Sequence, residues 1–115
     1  MPIEVELDIF SGRPNPKWKL SPRLESELFE QMDALAPDPR GSFPQPPGLG
    51  YRGFLLRKEN ETREHDTRVY GGAVTTAEGV KKDPARRLEK WLLKTAETAH
   101  SVEAQILDIV KDELS

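Results

Sequence analysis

Cysteine is absent from the 115 residues, which excludes disulfide bridges and every zinc site built on thiolates. Histidine occurs only as His65 and His100, and their spacing resembles no zinc or iron ligand set. No metal site and no cofactor is therefore expected. Long apolar runs are missing too: none approaches the roughly 20 residues needed to cross a bilayer. Nor is there a surplus of positive charge. Lys and Arg number 17 against 20 Asp and Glu, a formal net charge of −3 with a pI near 5.4. General binding to nucleic acid or to an anionic membrane needs clustered cations that release counterions, so neither partner is expected. The opening MPIEVELDIF alternates acids with apolar residues and lacks a basic segment followed by an apolar one. No signal or transit peptide is expected there, and the expected compartment is the cytoplasm.

What is present, 36% hydrophobic and 32% charged residues, describes one small domain over 1–115. Ile3, Val5, Leu7 and Ile9 alternate with Glu4, Glu6, Asp8 and Phe10, a period of two that predicts a strand with one buried face. Three carboxylates on its other face would repel one another, so a neighbouring strand or loop is expected to set Arg or Lys opposite them. Ser21-Pro22 starts a helix, with Ser as N-cap and Pro where a missing N–H costs nothing, and Pro37 must end it. Between Pro37 and Phe54, nine of eighteen residues are Pro or Gly, which predicts a long, stiff loop centred on 37–50.

Tyr51–Arg57 and Thr67–Thr75 read as two antiparallel strands joined by a charged connection, with a bulge or a close backbone approach at Gly71-Gly72. Asp83-Pro84 repeats the cap device and opens a helical stripe through Leu88, Trp91, Leu92, Ala96 and Ala99, which Val102 to Leu114 continue. One helix of that length would run to roughly 45 Å, too long to stay covered in so small a domain. A break is expected near 98–101, where Thr98, His100 and Ser101 are weak helix formers and Ser101 can cap a new start. The expected fold class is α+β, ordered β-α-β-β-α-α, with a small sheet of about three strands and the helices packed on one face.

Two segments carry candidate binding residues. In Ser11-Gly12-Arg13-Pro14-Asn15-Pro16-Lys17-Trp18, Gly12 can take positive φ, and each proline fixes its own φ and extends the residue before it. Arg13 and Asn15 are thus held ready to meet a carboxylate, phosphate or peptide group, with Trp18 either covering the end of the sheet or partly exposed as a contact residue. The competing reading is a rigid connector in which Arg13 pairs with a strand carboxylate and Asn15 closes a turn. Gly48-Leu49-Gly50-Tyr51-Arg52-Gly53-Phe54 is glycine-rich but lacks the Gly-Lys-Ser/Thr ending of a nucleotide phosphate loop. Tyr51 and Arg52, with Arg68 and Tyr70 on the facing strand, make an Arg–aromatic surface or, equally, ordinary cross-strand pairs. Phe43-Pro44-Gln45-Pro46-Pro47 is a proline-rich loop read as stiffening.

Catalytic signatures are poor. Ser11 does not match a nucleophile elbow, and nothing singles out Asp8 or Glu6 for acid–base work, so no catalytic residue is assigned. From Lys81 to Lys94 six basic residues face Asp83 and Glu89, whereas Glu97 to Ser115 is acidic, a charge asymmetry that solvated helix faces explain.

The combination of Asp8-Ile9-Phe10-Ser11-Gly12-Arg13-Pro14-Asn15-Pro16 and Trp18 with Gly48–Phe54, Asp83, Arg87, Leu88, Glu89 and Trp91-Leu92-Leu93 resembles a group of small uncharacterised bacterial single-domain proteins. The resemblance implies a bacterial single-domain protein and supplies no catalytic residues.

The function expected is a non-enzymatic binding or accessory module that recognises a peptide or protein partner through Arg13, Asn15, Trp18, Tyr51, Arg52, Arg68 and Tyr70. The alternative is a small enzyme or binder for an anionic substrate, with Arg13, Arg52 and Arg68 as clamps on a carboxylate or phosphate. A third option is a homodimer through the C-terminal stripe.

Overall fold

In the computed structural model of the chain, residues 3–48, 50–59, 61, 66–100 and 102–114 are described. The N-terminal alternation forms strand β1 (Ile3–Leu7), with Val5 and Leu7 fully buried. β2 (Lys17–Lys19) follows, then helix α1 (Pro22–Ala34). The helix starts as its sequence dictates: Ser21 Oγ accepts from Leu24 N at 3.3 Å and Pro22 occupies the first turn. β3 (Phe54–Lys58), β4 (Thr67–Tyr70), β5 (Ala73–Thr76) and β6 (Gly79–Lys82) complete an antiparallel sheet. A 3-10 turn (Pro84–Arg86) then leads into α2 (Arg87–Ala99) and α3 (Ala104–Leu114).

The α+β class holds, but the sheet has six strands in the order β2-β1-β3-β4-β5-β6 rather than about three. Two local features account for two of the three additional strands. Gly71 and Gly72 are not a bulge within one strand. They have φ of +63° and +86° and form a two-residue turn between Tyr70 and Ala73, which pair across it, because positive φ at both positions matches the twist of the flanking strands. β2 is only three residues long, too short for alternation to register.

The long Pro/Gly segment contains no helix or strand among its described residues. Its start lies along β6: Asp38 N donates to Val80 O and Lys82 N to Ala36 O, both at 2.8 Å. That edge of the sheet is therefore occupied. The C-terminal stripe is two helices, not one. α2 stops at His100, which has φ +54°, while Ser101, the expected cap, lies outside the described residues. At the other end of α2, Asp83 caps across the 3-10 turn, accepting from Leu88 N at 2.8 Å and Glu89 N at 3.2 Å.

One hydrophobic cluster joins Val5, Leu7, Phe54, Leu56, Val69 and Val74 of the sheet to Leu28 of α1, Leu88 and Leu92 of α2, and Val110 of α3. Residues of opposite parity, Glu4, Glu6, Asp8, Arg57 and Arg68, stand on the other face of the sheet.

Candidate functional site

The carboxylates of β1 meet the cations that their mutual repulsion calls for. Asp8 is buried and accepts from Arg52 Nε at 3.1 Å, Arg52 Nη2 at 2.8 Å and Arg68 Nη1 at 2.8 Å. Burial alone would push its carboxyl up, but the hydrogen bonds and charges of Arg52 and Arg68 outweigh that and hold it below its ordinary value. Arg57 forks onto Asp66, with Nε–Oδ1 at 2.8 Å and Nη2–Oδ2 at 2.7 Å, and also reaches Glu4 and Glu6. The hydrogen bond to Asp66 is the main reason its guanidinium is held more firmly protonated than usual.

Asn15 ties this network to the loop between β1 and β2. Its Oδ1 accepts from Ile9 N at 3.1 Å and Phe10 N at 2.8 Å, and its Nδ2 donates to Glu6 at 2.8 Å and Asp8 at 3.3 Å. With Gly12 at φ +85°, the loop is pinned while Arg13 stays exposed. The Arg13 guanidinium carbon lies 3.7 Å from the centroid of the Phe10 ring, a cation–π stack. Beside it is a groove of about 210 Å³ lined by Phe10, Arg13, Pro14, Asn15, Pro16, Glu103 and Ile106.

The seven residues expected to bind a partner do not form one surface. Trp18 is 5% exposed, stacks edge-on against Phe54 and donates from Nε1 to Thr95 Oγ1 of α2 at 3.0 Å. Tyr51 is buried and its hydroxyl donates to Glu89 Oε2. Arg52 additionally donates to Gly48 O and Phe10 O. Arg68 also donates to Arg52 O at 2.7 Å, and it lines a cavity of about 380 Å³ with Phe43, Pro46, Leu55, Asp66 and Thr75. Tyr70 is half-buried, beside Tyr51 and beneath Arg86. The charged face thus gathers Asn15, Arg52 and Arg68, the loop presents Arg13, and Trp18 and Tyr51 belong to the interior.

Sequence reading missed Glu89. It is fully buried in α2 and takes hydrogen bonds from Tyr51, from Gly71 N at 3.0 Å and from Arg86 Nε and Nη2 at 2.9 and 2.7 Å. Burial, then the Glu89 charge, push the Tyr51 phenol well above its usual range, while burial lifts the Asp83 carboxyl. Ala85 and Arg86, with φ of +57° and +55°, spend backbone strain to bring Arg86 onto Glu89. The local clue was the Arg86–Glu89 spacing of three on a helical stretch; the Tyr51 and Gly71 partners left no trace in the sequence.

Among the described residues, no group of three or more His, Asp or Glu side chains could hold a metal ion, and no helix is long and apolar enough to cross a membrane. His100 is exposed at the end of α2, and His65 lies outside the described residues. A larger cleft, of about 510 Å³, opens beside α1 over Phe29, Met32, Leu56 and Lys81. It contains none of the seven expected residues.

The molecule is therefore a small α+β domain with a six-stranded antiparallel sheet, one face apolar and one carrying paired charges. Compared with known proteins, the chain matches no family model, no curated protein and no solved structure.

Proposed function

We propose that the chain is a non-enzymatic binding module that recognises a peptide segment of a partner protein on the loop between β1 and β2. The observation that carries this reading is the exposed Arg13–Phe10 stack, set on a loop whose freedom Asn15 has already removed, beside a groove that mixes Pro14, Pro16 and Ile106 with Asn15 and Glu103. Prearranged Arg and aromatic groups next to a groove of mixed polar and apolar lining favour peptide recognition, because little further ordering is needed on binding. On this reading the protein works in a bacterial cytoplasm as an accessory to another protein.

The anionic-substrate alternative has less support. Arg52 and Arg68 converge on Asp8, so the chain's own carboxylate occupies the place a bound anion would take. To test the peptide reading, a random peptide library would be selected on the wild type and on Arg13→Ala and Phe10→Ala variants. Enriched peptides that bind the wild type and lose at least about tenfold in affinity on either variant support it, this being the loss of an aromatic or Arg anchor. Equal binding by all three proteins refutes it.

A further inference from the structure

The two edges of the sheet are unlike. β6 is covered by the Ala36–Asp38 segment, whereas β2 has no described strand beyond it. The ladder fixes which groups of β2 point outward. Leu7 N donates to Pro16 O and Leu20 N to Ile3 O, both at 3.0 Å, with Val5 opposite Trp18 between them. In an antiparallel pair, residues alternate between facing the partner strand and facing away. Trp18 therefore spends its N–H and C=O on β1, and those of Lys17 and Lys19 face outward. Both lysines are exposed, and neither makes an ion pair within 4 Å among the described residues.

Charge across this face follows the register. Asp66, next to β4, pairs with Arg57 of β3, Arg57 stands opposite Glu4 of β1, and Glu4 stands opposite Lys19 of β2. The row reads negative, positive, negative, positive, and stops at the edge. In the next row Glu6 stands opposite Lys17. A strand laid beyond β2 would continue both rows with carboxylates, since opposite charges are favoured at directly opposed positions and like charges are not. The same rule disfavours a second copy of β2, which would set lysine against lysine.

We propose that the β2 edge is a docking site for an extended acidic segment of a partner protein, added antiparallel with glutamate or aspartate at alternate positions opposite Lys17 and Lys19. This is strand addition, in which main-chain bonds hold the segment and alternate side chains select it. With two outward-facing residues, the edge offers four main-chain bonds.

The probe is the capped peptide Thr-Glu-Val-Glu-Val-Glu-Thr, titrated into isotope-labelled protein and followed by amide NMR. Shifts and slowed exchange are expected at the Lys17 and Lys19 amides. A lysine-for-glutamate peptide is expected to bind at least about tenfold more weakly, and Lys17→Glu/Lys19→Glu to reverse that preference, as expected for two exposed ion pairs. Main-chain parity provides the sharper test. N-methylation of the glutamates, whose N–H groups would face β2, should abolish binding, while N-methylation of the valines should leave it. Shifts centred away from β2, the opposite parity, or a charge-reversed variant with native-like spectra that still prefers the acidic peptide would each overturn the proposal. The Arg13→Ala variant is expected to give an unchanged titration, which separates this site from the loop groove.

Discussion

Replacing Asp8 with Asn keeps the size of the side chain and removes the charge on which Arg52 and Arg68 converge. In the native protein the carboxylate accepts three arginine hydrogen bonds between 2.8 and 3.1 Å and a longer one from Asn15. A hydrogen bond to a charged group contributes roughly 1.5–3 kcal/mol net, and stripping the partner from a fully buried pair costs roughly 3–5 kcal/mol. The Arg52 and Arg68 side chains are 19% and 28% exposed, so water takes up part of the loss. We expect Asp8→Asn to destabilise the fold by about 3 kcal/mol at neutral pH, or roughly 10 °C in Tm for a domain of this size.

The sign of the pH dependence follows from the lowered Asp8 pKa. The folded state binds the proton less readily than the unfolded chain, so the stabilisation is complete above the ordinary value of 3.8 and is lost as pH falls through the lower folded value. Urea denaturation of both proteins at pH 7 and at several points below pH 4 measures this directly. The gap between them should narrow as acid protonates Asp8 in the wild type. A variant within about 0.5 kcal/mol of the wild type at pH 7, the range of an ordinary surface substitution, would refute the reasoning, as would a gap that stays constant into acid.

Gly53→Ala should destabilise by at least about 2 kcal/mol in the same assay, because φ is +97° and the added Cβ would fall 2.4 Å from Val69 O. In an absorbance titration the Tyr51 phenol should not ionise at its ordinary value of 10.0 while the fold persists. Tyr51 should stay protonated until the protein unfolds, so stability conferred by its raised pKa is lost as pH rises above the unfolded value near 10. A Tyr51 phenol that ionises at its ordinary value in the native state would contradict the Tyr51–Glu89 contact.

What the sequence made legible was local and periodic. The Ile3–Ile9 alternation defined β1, and the repulsion among Glu4, Glu6 and Asp8 foretold basic partners. It could not say that these would be Arg52, Arg57 and Arg68, because those pairings come from the strand order. Caps were readable at Ser21 and Asp83, and so was the break near His100. Trp18, between a loop and a helix cap, could be read either as covering the end of the sheet or as a partly exposed contact, and its partner Thr95, 77 residues away, could not be read at all. Tyr51 and Glu89, 38 residues apart, likewise meet only through tertiary packing. The sheet was undercounted because Gly79–Lys82 carries two lysines and one apolar residue, and pairing alone makes it a strand.

The position of Asn15 in the chain has a chemical consequence. Asparagine side chains age by cyclisation, when the backbone nitrogen of the next residue attacks the side-chain carbonyl and expels ammonia. Here that nitrogen belongs to Pro16, which carries no N–H, so the succinimide route is closed. The amide that joins Glu6 and Asp8 to the loop by four hydrogen bonds is shielded by its neighbour from the commonest spontaneous damage to its residue type. Pro16 thus protects a side chain as well as shaping a backbone.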